Sequence, residues 1–249
     1  MQRYFFSIAY DGSAFFGWQR QEDVISVQES IEKAISKLYG NKHYPITGCG
    51  RTDTGVHASY YVLHVDLPLN KYTEEQLKYK LNLMLPDSIT VYSIQKTKAD
   101  FHARFDATSR TYHYFIHTRK DPFLKGYSLY HPQTLDVAAM QEASKLLLGK
   151  QDFTSFSKLH TDVKHNYCEV FHVDWKAIDQ HRLRFEISAN RFLRNMVRAT
   201  VGTLLLVGQN KIAPEEVKNI LVSKNRGVAG KSVAAQGLFL ANVTYGDIS

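Results

Sequence analysis

The residues best suited to chemistry lie in a glycine-rich segment, GCGRTDTGVHA, at positions 48–58. This segment places one carboxylate, one guanidinium and two threonine hydroxyls among three glycines. A tight turn needs only one or two glycines, so the excess indicates a backbone that passes close to another group. Two interpretations stay open. Asp53 bonds to its own backbone in a turn, or Asp53 is a catalytic carboxylate and Arg51 reaches toward phosphates or bases.

The tripeptide Asp53-Thr54-Gly55 also matches the short signature of aspartic proteases. Those enzymes need two aspartates that share one proton, so a single copy would require a symmetric dimer. Arg51 lies two residues before the acid, and a permanent cation there would hold Asp53 ionised and oppose a shared proton. The sequence therefore argues against a protease.

A second group combines aromatic and basic side chains in the stretch FHARFDATSRTYHY, which begins at Phe101. If a strand begins at Thr108, Tyr112 and Tyr114 share one face, and Arg110 joins them at its start. Such interleaving is typical of a stacking platform for bases beside a phosphate clamp. An ordinary pair of buried tyrosines is the alternative.

Apolar periodicity predicts a long helix from Arg191 to Val207. Arg191, Arg194 and Arg198 fall at i, i+3 and i+7, which would put three guanidiniums on one helix face. A solvated basic face is the commonest meaning of such spacing. Arg198 lies deeper among apolar side chains, however, where an unpaired charge is costly, so we expect it to have a carboxylate partner.

Composition limits the classes of protein to which this chain can belong. Its 249 residues are 44% hydrophobic and 22% charged, which predicts a folded globular protein. The 31 Lys and Arg residues against 24 Asp and Glu residues give a net charge of +7, which favours a polyanionic partner such as nucleic acid. Cys49 and Cys168 have no metal-binding spacing and suit a reducing cytosol. Because the N-terminus also lacks the apolar stretch of a signal peptide, we expect a soluble cytoplasmic protein.

Cofactor motifs are absent from the sequence. It contains no HExxH pair and no His/Cys spacing for a metal, no GxxxxGK[ST] loop for ATP, and no GxGxxG turn for a nicotinamide. We therefore expect an activity that needs no metal and no other cofactor.

Secondary-structure signals distribute these groups over two halves. The predicted strands are 4–10, 44–49, 60–66, 89–97, 108–117, 170–178, 183–188 and 238–245. Capping boxes at Ser26 and Thr73 start two helices, so the first half has the order β-α-β-β-α-β of a ferredoxin-like sandwich, and the second half repeats it loosely. We predict an α+β fold with an N-terminal domain at 1–105, which carries the Asp53 loop, and a C-terminal domain at 106–249. The two ferredoxin-like α/β halves would form an extended antiparallel sheet with helices packed on it and a central active-site cleft.

Four stretches of the sequence together resemble the TruA family of tRNA pseudouridine synthases. They occur in the order expected for that family and span nearly the whole chain. They are Tyr10 to Gln21, Gly50 to Ala58, Phe101 to Phe105 with Arg110 and Tyr112, and Asn190 to Gly202. The sequence GRTDTGVHA is specific on its own, and the four stretches together make the resemblance more specific.

The resemblance implies isomerisation of uridine to pseudouridine at nucleotides 38, 39 and 40 of the tRNA anticodon stem-loop, by a homodimer that needs no cofactor. It implies that Asp53 is the catalytic nucleophile and that Tyr112 stacks on the target base. It also implies that Arg51 helps to extrude that base and that Arg198 pairs with the catalytic carboxylate.

Three further residues, Arg104, Arg110 and His57, are expected to contact the substrate. The alternative to an enzyme is a non-catalytic tRNA-binding module. An inactive relative would be expected to have lost the aspartate, and Asp53 is present.

Overall fold

The computed structural model describes residues 1–69, 71–158 and 165–246. The chain divides into two compact units. The first is Met1–Thr108 together with the segment from Phe239 onward, and the second is Ser109–Leu238. The sequence prediction put the boundary at residue 105 and assigned the whole C-terminal segment to the second domain. The structure assigns the last strand to the first unit, because that strand pairs with a strand of that unit.

The strands of the first unit form a mainly antiparallel sheet. They are β1 (Gln2–Tyr10), β2 (Thr47–Gly48), β3 (His57–Leu67), β4 (Ile89–Lys96) and β10 (Leu238–Tyr245). Strand β1 lies between β4 and β3 and is antiparallel to both. Strand β2 is antiparallel to β3, and β10 is parallel to β3 through pairs at His57 and Ala58. The strand predicted at 44–49 is therefore much shorter than expected.

Two capped helices complete the first unit. Helix α1 (Val27–Leu38) begins after Ser26, and α2 (Glu74–Met84) begins after Thr73. Each capping side chain accepts an N–H of the first turn, which has no partner within the helix. Buried apolar side chains one turn apart line the inner faces of the helices: Ile31 and Ile35 in α1, and Leu77 and Leu81 in α2. The predicted order β-α-β-β-α-β is confirmed.

The second unit also combines a sheet with helices. Its strands are β5 (Ala107–His117), β6 (Leu129–Tyr130), β7 (Gly149–Asp152), β8 (Tyr167–Asp179) and β9 (Arg182–Ala189). Strand β9 lies between β5 and β8, and β7 flanks β8; these pairs are antiparallel, whereas β6 is parallel to β5. Its helices are α3 (Val137–Lys145), α4 (Met196–Gly208) and α5 (Glu216–Ser223). The predicted α+β class and the predicted β8–β9 hairpin are confirmed.

Helix α4 starts at Met196, so the prediction that it begins at Arg191 is wrong. The preceding residue, Asn195, has a left-handed backbone with φ of 69°, which stops the helix from extending toward the N-terminus. Its side-chain amide donates a 2.6 Å hydrogen bond to the hydroxyl of Ser232. Arg191 therefore precedes the helix, and the expected face with three guanidiniums does not form.

Helix α4 is buried along almost its whole length. Eleven of its thirteen residues are buried, which explains why its composition is apolar on every side. Within residues 1–69, 71–158 and 165–246, no helix is both long enough and apolar enough to cross a membrane.

Candidate active site

The loop between β2 and β3 carries Asp53, whose side chain is partly exposed. Backbone hydrogen bonds fix the loop, because Thr52 O accepts from Trp18 N at 3.2 Å and Asp53 O accepts from Val56 N at 3.1 Å. The hydroxyls of Thr52 and Tyr10 form a buried hydrogen bond of 2.8 Å. The backbone at Asp53 is therefore held on both sides, by β1 and by the segment that follows β1.

Two glycines allow the segment after β1 to lie directly against the Asp53 loop. A Cβ atom at Gly12 would stand 2.0 Å from Val56 O, inside any permitted contact. A Cβ at Gly17 would stand 2.7 Å from Thr52 O, and Gly17 also has a φ of +87°. Both positions require glycine, and they bring two backbone segments into contact beside Asp53.

The structure requires glycine to different degrees at the three glycine positions of the segment 48–58. A Cβ at Gly48 would stand 2.0 Å from the Tyr61 hydroxyl, so the close approach expected from the sequence is present there. Gly55 has a φ of +75°, which favours glycine. Gly50 has no atom within 4 Å of its would-be Cβ, so sterics do not demand glycine at that position.

Three buried aromatic side chains support the loop. The rings of Trp18 and Tyr61 stack with centroids 4.1 Å apart, and Tyr10 lies 5.5 Å from Tyr61. The Tyr61 hydroxyl donates a hydrogen bond to Gly50 O. Because buried rings have few rotamers, this cluster gives the loop one defined position.

His57 lies four residues after Asp53 and is only 1% exposed. Its Nδ1 is 3.0 Å from a carboxylate oxygen of Asp11 and 3.1 Å from Gly12 N, and its ring stacks on Phe239 at 4.5 Å. Nδ1 accepts from Gly12 N when unprotonated and donates to Asp11 when protonated. The sequence predicts that His57 contacts the substrate. In the structure its ring is instead enclosed by other residues of the chain. His57 anchors the end of the loop.

Arg51 and Arg104 are both exposed. The guanidinium of Arg51 has no hydrogen bond or ion pair to the part of the chain that the structure describes. The guanidinium carbon of Arg104 lies 5.6 Å from the centroid of the Phe105 ring. Arg51 is therefore available to a phosphate or a base, two residues from Asp53.

The segment that follows β4 is held by side chains from three strands. Arg3 donates to Phe101 O at 2.8 Å, and Ala103 N donates to Nδ1 of His64 at 3.0 Å. The Tyr245 hydroxyl donates to Ala103 O at 2.7 Å. The FHARF segment is thus fixed on β1, β3 and β10.

We expect the stability of the protein to depend on pH through His64, which accepts the hydrogen bond from Ala103 N. Burial and the charge of Arg3 lower the pKa of His64 from 6.5 to about 4. The unfolded chain then binds a proton more tightly than the folded one, so stability present above pH 6.5 is lost as pH falls toward 4. His64→Gln keeps an acceptor for Ala103 N and does not titrate. We expect urea unfolding to show a smaller loss between pH 7 and pH 5 for this variant than for the unsubstituted protein.

A histidine elsewhere provides the control for that measurement. His181→Gln replaces a histidine of the β8–β9 turn that participates in hydrogen bonds through its backbone. It should retain the full pH dependence. Equal losses for His64→Gln and the unsubstituted protein would assign the acid sensitivity to other groups.

Tyr112 and Arg110 lie on β5 of the second unit. Tyr112 is half-buried and contacts the Phe192 ring edge-on at 5.0 Å. Arg110 donates to Asn190 O at 2.8 Å. Tyr114, on the same face, is fully buried, and burial raises its pKa. Tyr114 therefore belongs to the core, whereas Tyr112 is only half-buried and its stacking on a base stays a prediction.

Arg198 is half-buried in the first turn of α4. Its Nε donates to Val233 O at 2.7 Å, and Val233 N donates to Arg198 O at 3.1 Å. A Cβ at Gly202 would stand 1.9 Å from Lys231 O, so the segment around Val233 lies directly on the helix. Spacing in the sequence does not predict this support for Arg198, and the glycines at 202 and 230 are the local signal that points to the close approach.

The structure groups the predicted site residues within each unit. Arg51, Asp53 and His57 share one loop region of the first unit, whereas Arg110 and Tyr112 share one strand of the second. The pairing of Asp53 with Arg198 stays a prediction. Among the described residues, no group of three or more His, Cys, Asp or Glu side chains is arranged to hold a metal ion.

Residues from both units match one protein family. A family model described as tRNA pseudouridine synthase matches residues 7–106 and 143–246, which include the Asp53 loop, the FHARF segment and α4. The chain therefore belongs to the tRNA pseudouridine synthase family and is an enzyme of the isomerase class.

Relatives named tRNA pseudouridine synthase A match almost the full length of the chain. The protein of Bacteroides fragilis is 47% identical, over 98% of this chain and 97% of its own. That of Porphyromonas gingivalis is 46% identical, over 98% of both chains. That of Bacillus subtilis is 41% identical, over 96% of this chain and 97% of its own.

Proposed function

We propose that this enzyme converts uridine to pseudouridine at nucleotides 38, 39 and 40 of the tRNA anticodon stem-loop, with Asp53 as the nucleophile. The observation that carries the proposal is the Asp53 loop. A partly exposed carboxylate stands on a backbone fixed by hydrogen bonds from Trp18 and Val56, two residues along the chain from the exposed Arg51. A nucleophile needs such a defined position, because small displacements from the reacting atom cost rate.

The chemistry requires no added atom and no electron transfer. The bond between ribose and nitrogen 1 of uracil breaks, the base turns over, and carbon 5 bonds to the ribose. The proton on carbon 5 is lost, and nitrogen 1 gains one. A carboxylate can attack or accept a proton in this sequence without a metal or another cofactor.

The target base must first leave the stack, which costs a few kcal/mol. In the proposed complex, Arg51 fills the vacated space and Tyr112 stacks on the flipped uracil, which offsets about 1–3 kcal/mol. Arg198 pairs with Asp53 and orients it. Arg104 and Arg110 contact the RNA backbone, and His57 anchors the end of the Asp53 loop.

The proposal includes a homodimer that acts in the cytoplasm. Support for the location comes from Cys49 and Cys168, which are both buried and form no disulfide, as suits a reducing compartment. Analytical ultracentrifugation at micromolar concentration tests the dimer.

The direct test is to incubate the purified protein with unmodified tRNA transcripts and to measure pseudouridine by mass spectrometry. Transcripts with cytidine at position 38, 39 or 40 identify the nucleotides that react. Turnover at these positions supports the proposal. Tight binding without product would instead support the non-catalytic tRNA-binding module.

Two arginines should respond differently to replacement by alanine. Arg198→Ala removes the proposed partner of Asp53, so the rate of a single turnover should fall by about 100-fold to 1,000-fold with little change in binding. Arg191, which is half-buried and precedes α4, is proposed to contact a phosphate of the RNA. Arg191→Ala should therefore raise KM with kcat nearly unchanged, because a phosphate contact is worth similar amounts before and during reaction. It should also flatten the salt dependence of binding by about 0.7–0.9 in slope. If Arg198→Ala changes only binding and its salt slope, Arg198 is a phosphate contact and not the partner of Asp53.

A further inference from the structure

Phe105 is 74% exposed, whereas Phe101 in the same segment is 5% exposed. Isolated exposed hydrophobic residues are common on protein surfaces and need no explanation by themselves. Phe105 differs because of the backbone that carries it, which is held more firmly than an ordinary surface loop.

Hydrogen bonds close the segment into a rigid turn. Nδ1 of His102 accepts from the backbone N–H groups of both Arg104 and Phe105, at 3.1 Å and 3.3 Å. A carboxylate oxygen of Asp106 accepts from His102 N at 2.7 Å, and Asp106 N donates to His102 O at 3.1 Å. Ala103, at the centre of the turn, is held by the bonds from His64 and Tyr245 described above. The turn therefore presents Phe105 from a fixed position.

Two neighbours extend the aromatic surface. The His102 ring lies 4.2 Å from the Phe105 ring and is tilted from it by 32°. The guanidinium of Arg104 lies 5.6 Å from the Phe105 centroid. An exposed ring with a second ring and a guanidinium beside it is the arrangement on which unstacked bases bind, since the base stacks and the cation contacts phosphate.

We propose that Phe105 stacks on an unpaired base of the tRNA substrate and so adds a contact to those made by the arginines. This inference rests on the proposed function for the identity of the RNA. The backbone that carries the ring is held before binding, so little backbone conformational entropy is lost when a base stacks on it. Bases within a duplex already stack on their neighbours, so the contact selects single-stranded nucleotides.

The test compares Phe105→Leu, which stays apolar but has no aromatic face, with Phe105→Tyr, which keeps the face. Phe123→Leu is the matched control, because Phe123 is 88% exposed and has no aromatic contact among the described residues. Fluorescence anisotropy of a labelled anticodon stem-loop gives Kd at several salt concentrations. Phe105→Leu should weaken binding by about 5-fold to 100-fold with an unchanged salt slope. Phe105→Tyr and Phe123→Leu should bind as the unsubstituted protein does.

Three results would overturn the proposal: unchanged binding by Phe105→Leu, an equal loss for Phe105→Tyr, or an equal loss on a fully paired duplex of the same stem. A change in oligomeric state on sedimentation of Phe105→Leu would also overturn it, since the ring would then belong to an interface between copies of the chain. Melting temperatures of all variants establish that they fold. If the unsubstituted protein forms no pseudouridine but its binding depends on Phe105, the proposed function fails and the stacking contact stands.

Discussion

Asp53→Asn is expected to abolish pseudouridine formation while tRNA affinity falls by less than about 10-fold, or about 1.4 kcal/mol. The amide has the shape of the carboxylate but cannot act as a nucleophile or accept a proton from carbon. Because the loop backbone is held by Trp18 N and Val56 N, the substitution should leave its position unchanged. A loss of at least about 10⁴-fold in rate is typical when a nucleophile is removed.

Single-turnover kinetics with excess enzyme measure this rate without a contribution from product release. Asp87→Asn is the control, because it removes the same charge from an exposed position outside the loop. The control should have the rate of the unsubstituted protein. A substantial rate for Asp53→Asn would remove Asp53 from the role of nucleophile and leave it as a turn residue.

Gly12→Ala is expected to destabilise the first unit and to slow the reaction together. The new methyl group would stand 2.0 Å from Val56 O, so one of two backbone segments must move. Such overpacking costs about 1–3 kcal/mol, which lowers the melting temperature by about 2–12 °C for a chain of this size. Val56 is three residues from Asp53, and a displacement of about 1 Å there is expected to cost about 100-fold in rate.

Gly50→Ala separates this effect from a general sensitivity of the loop to alanine. A Cβ at Gly50 meets no atom within 4 Å, so the melting temperature should change by less than about 2 °C. Circular dichroism and single-turnover kinetics on both variants give the comparison. Equal melting temperatures for Gly12→Ala and the unsubstituted protein would mean that the two segments separate without cost, and that their contact does not fix Asp53.

The elements that local chemistry determines were predicted well from the sequence. Ser26 and Thr73 begin their helices because their side chains accept N–H groups within the next three residues. The start of α4 was missed, because the left-handed backbone at Asn195 depends on a hydrogen bond to Ser232, far along the chain. The place of β10 was missed for the same reason, since its partner β3 is distant in sequence.

The candidate site also combines features that local sequence determines with features that depend on distant contacts. Residue types and spacing singled out Asp53 and Arg51, because an excess of glycine and charge in one short segment is visible without a fold. The burial of His57 was not visible, since its surroundings come from Asp11, Gly12 and Phe239. Spacing alone predicts which side chains share a segment. The exposure of a side chain depends on its tertiary contacts, which spacing does not predict.

A ribosome releases residues 1–108 well before residues 239–245, yet both are needed to complete the first unit. At about 5–20 residues per second, the interval is on the order of 10 s. During that time the end of β3 at His57 and Ala58 lacks its partner strand, and the His57 ring lacks Phe239. Exposed strand edges pair readily with other chains, so the nascent protein carries an aggregation-prone edge beside its Asp53 loop. We therefore expect co-translational folding of the first unit to finish beside the Asp53 loop, where β10 pairs with β3.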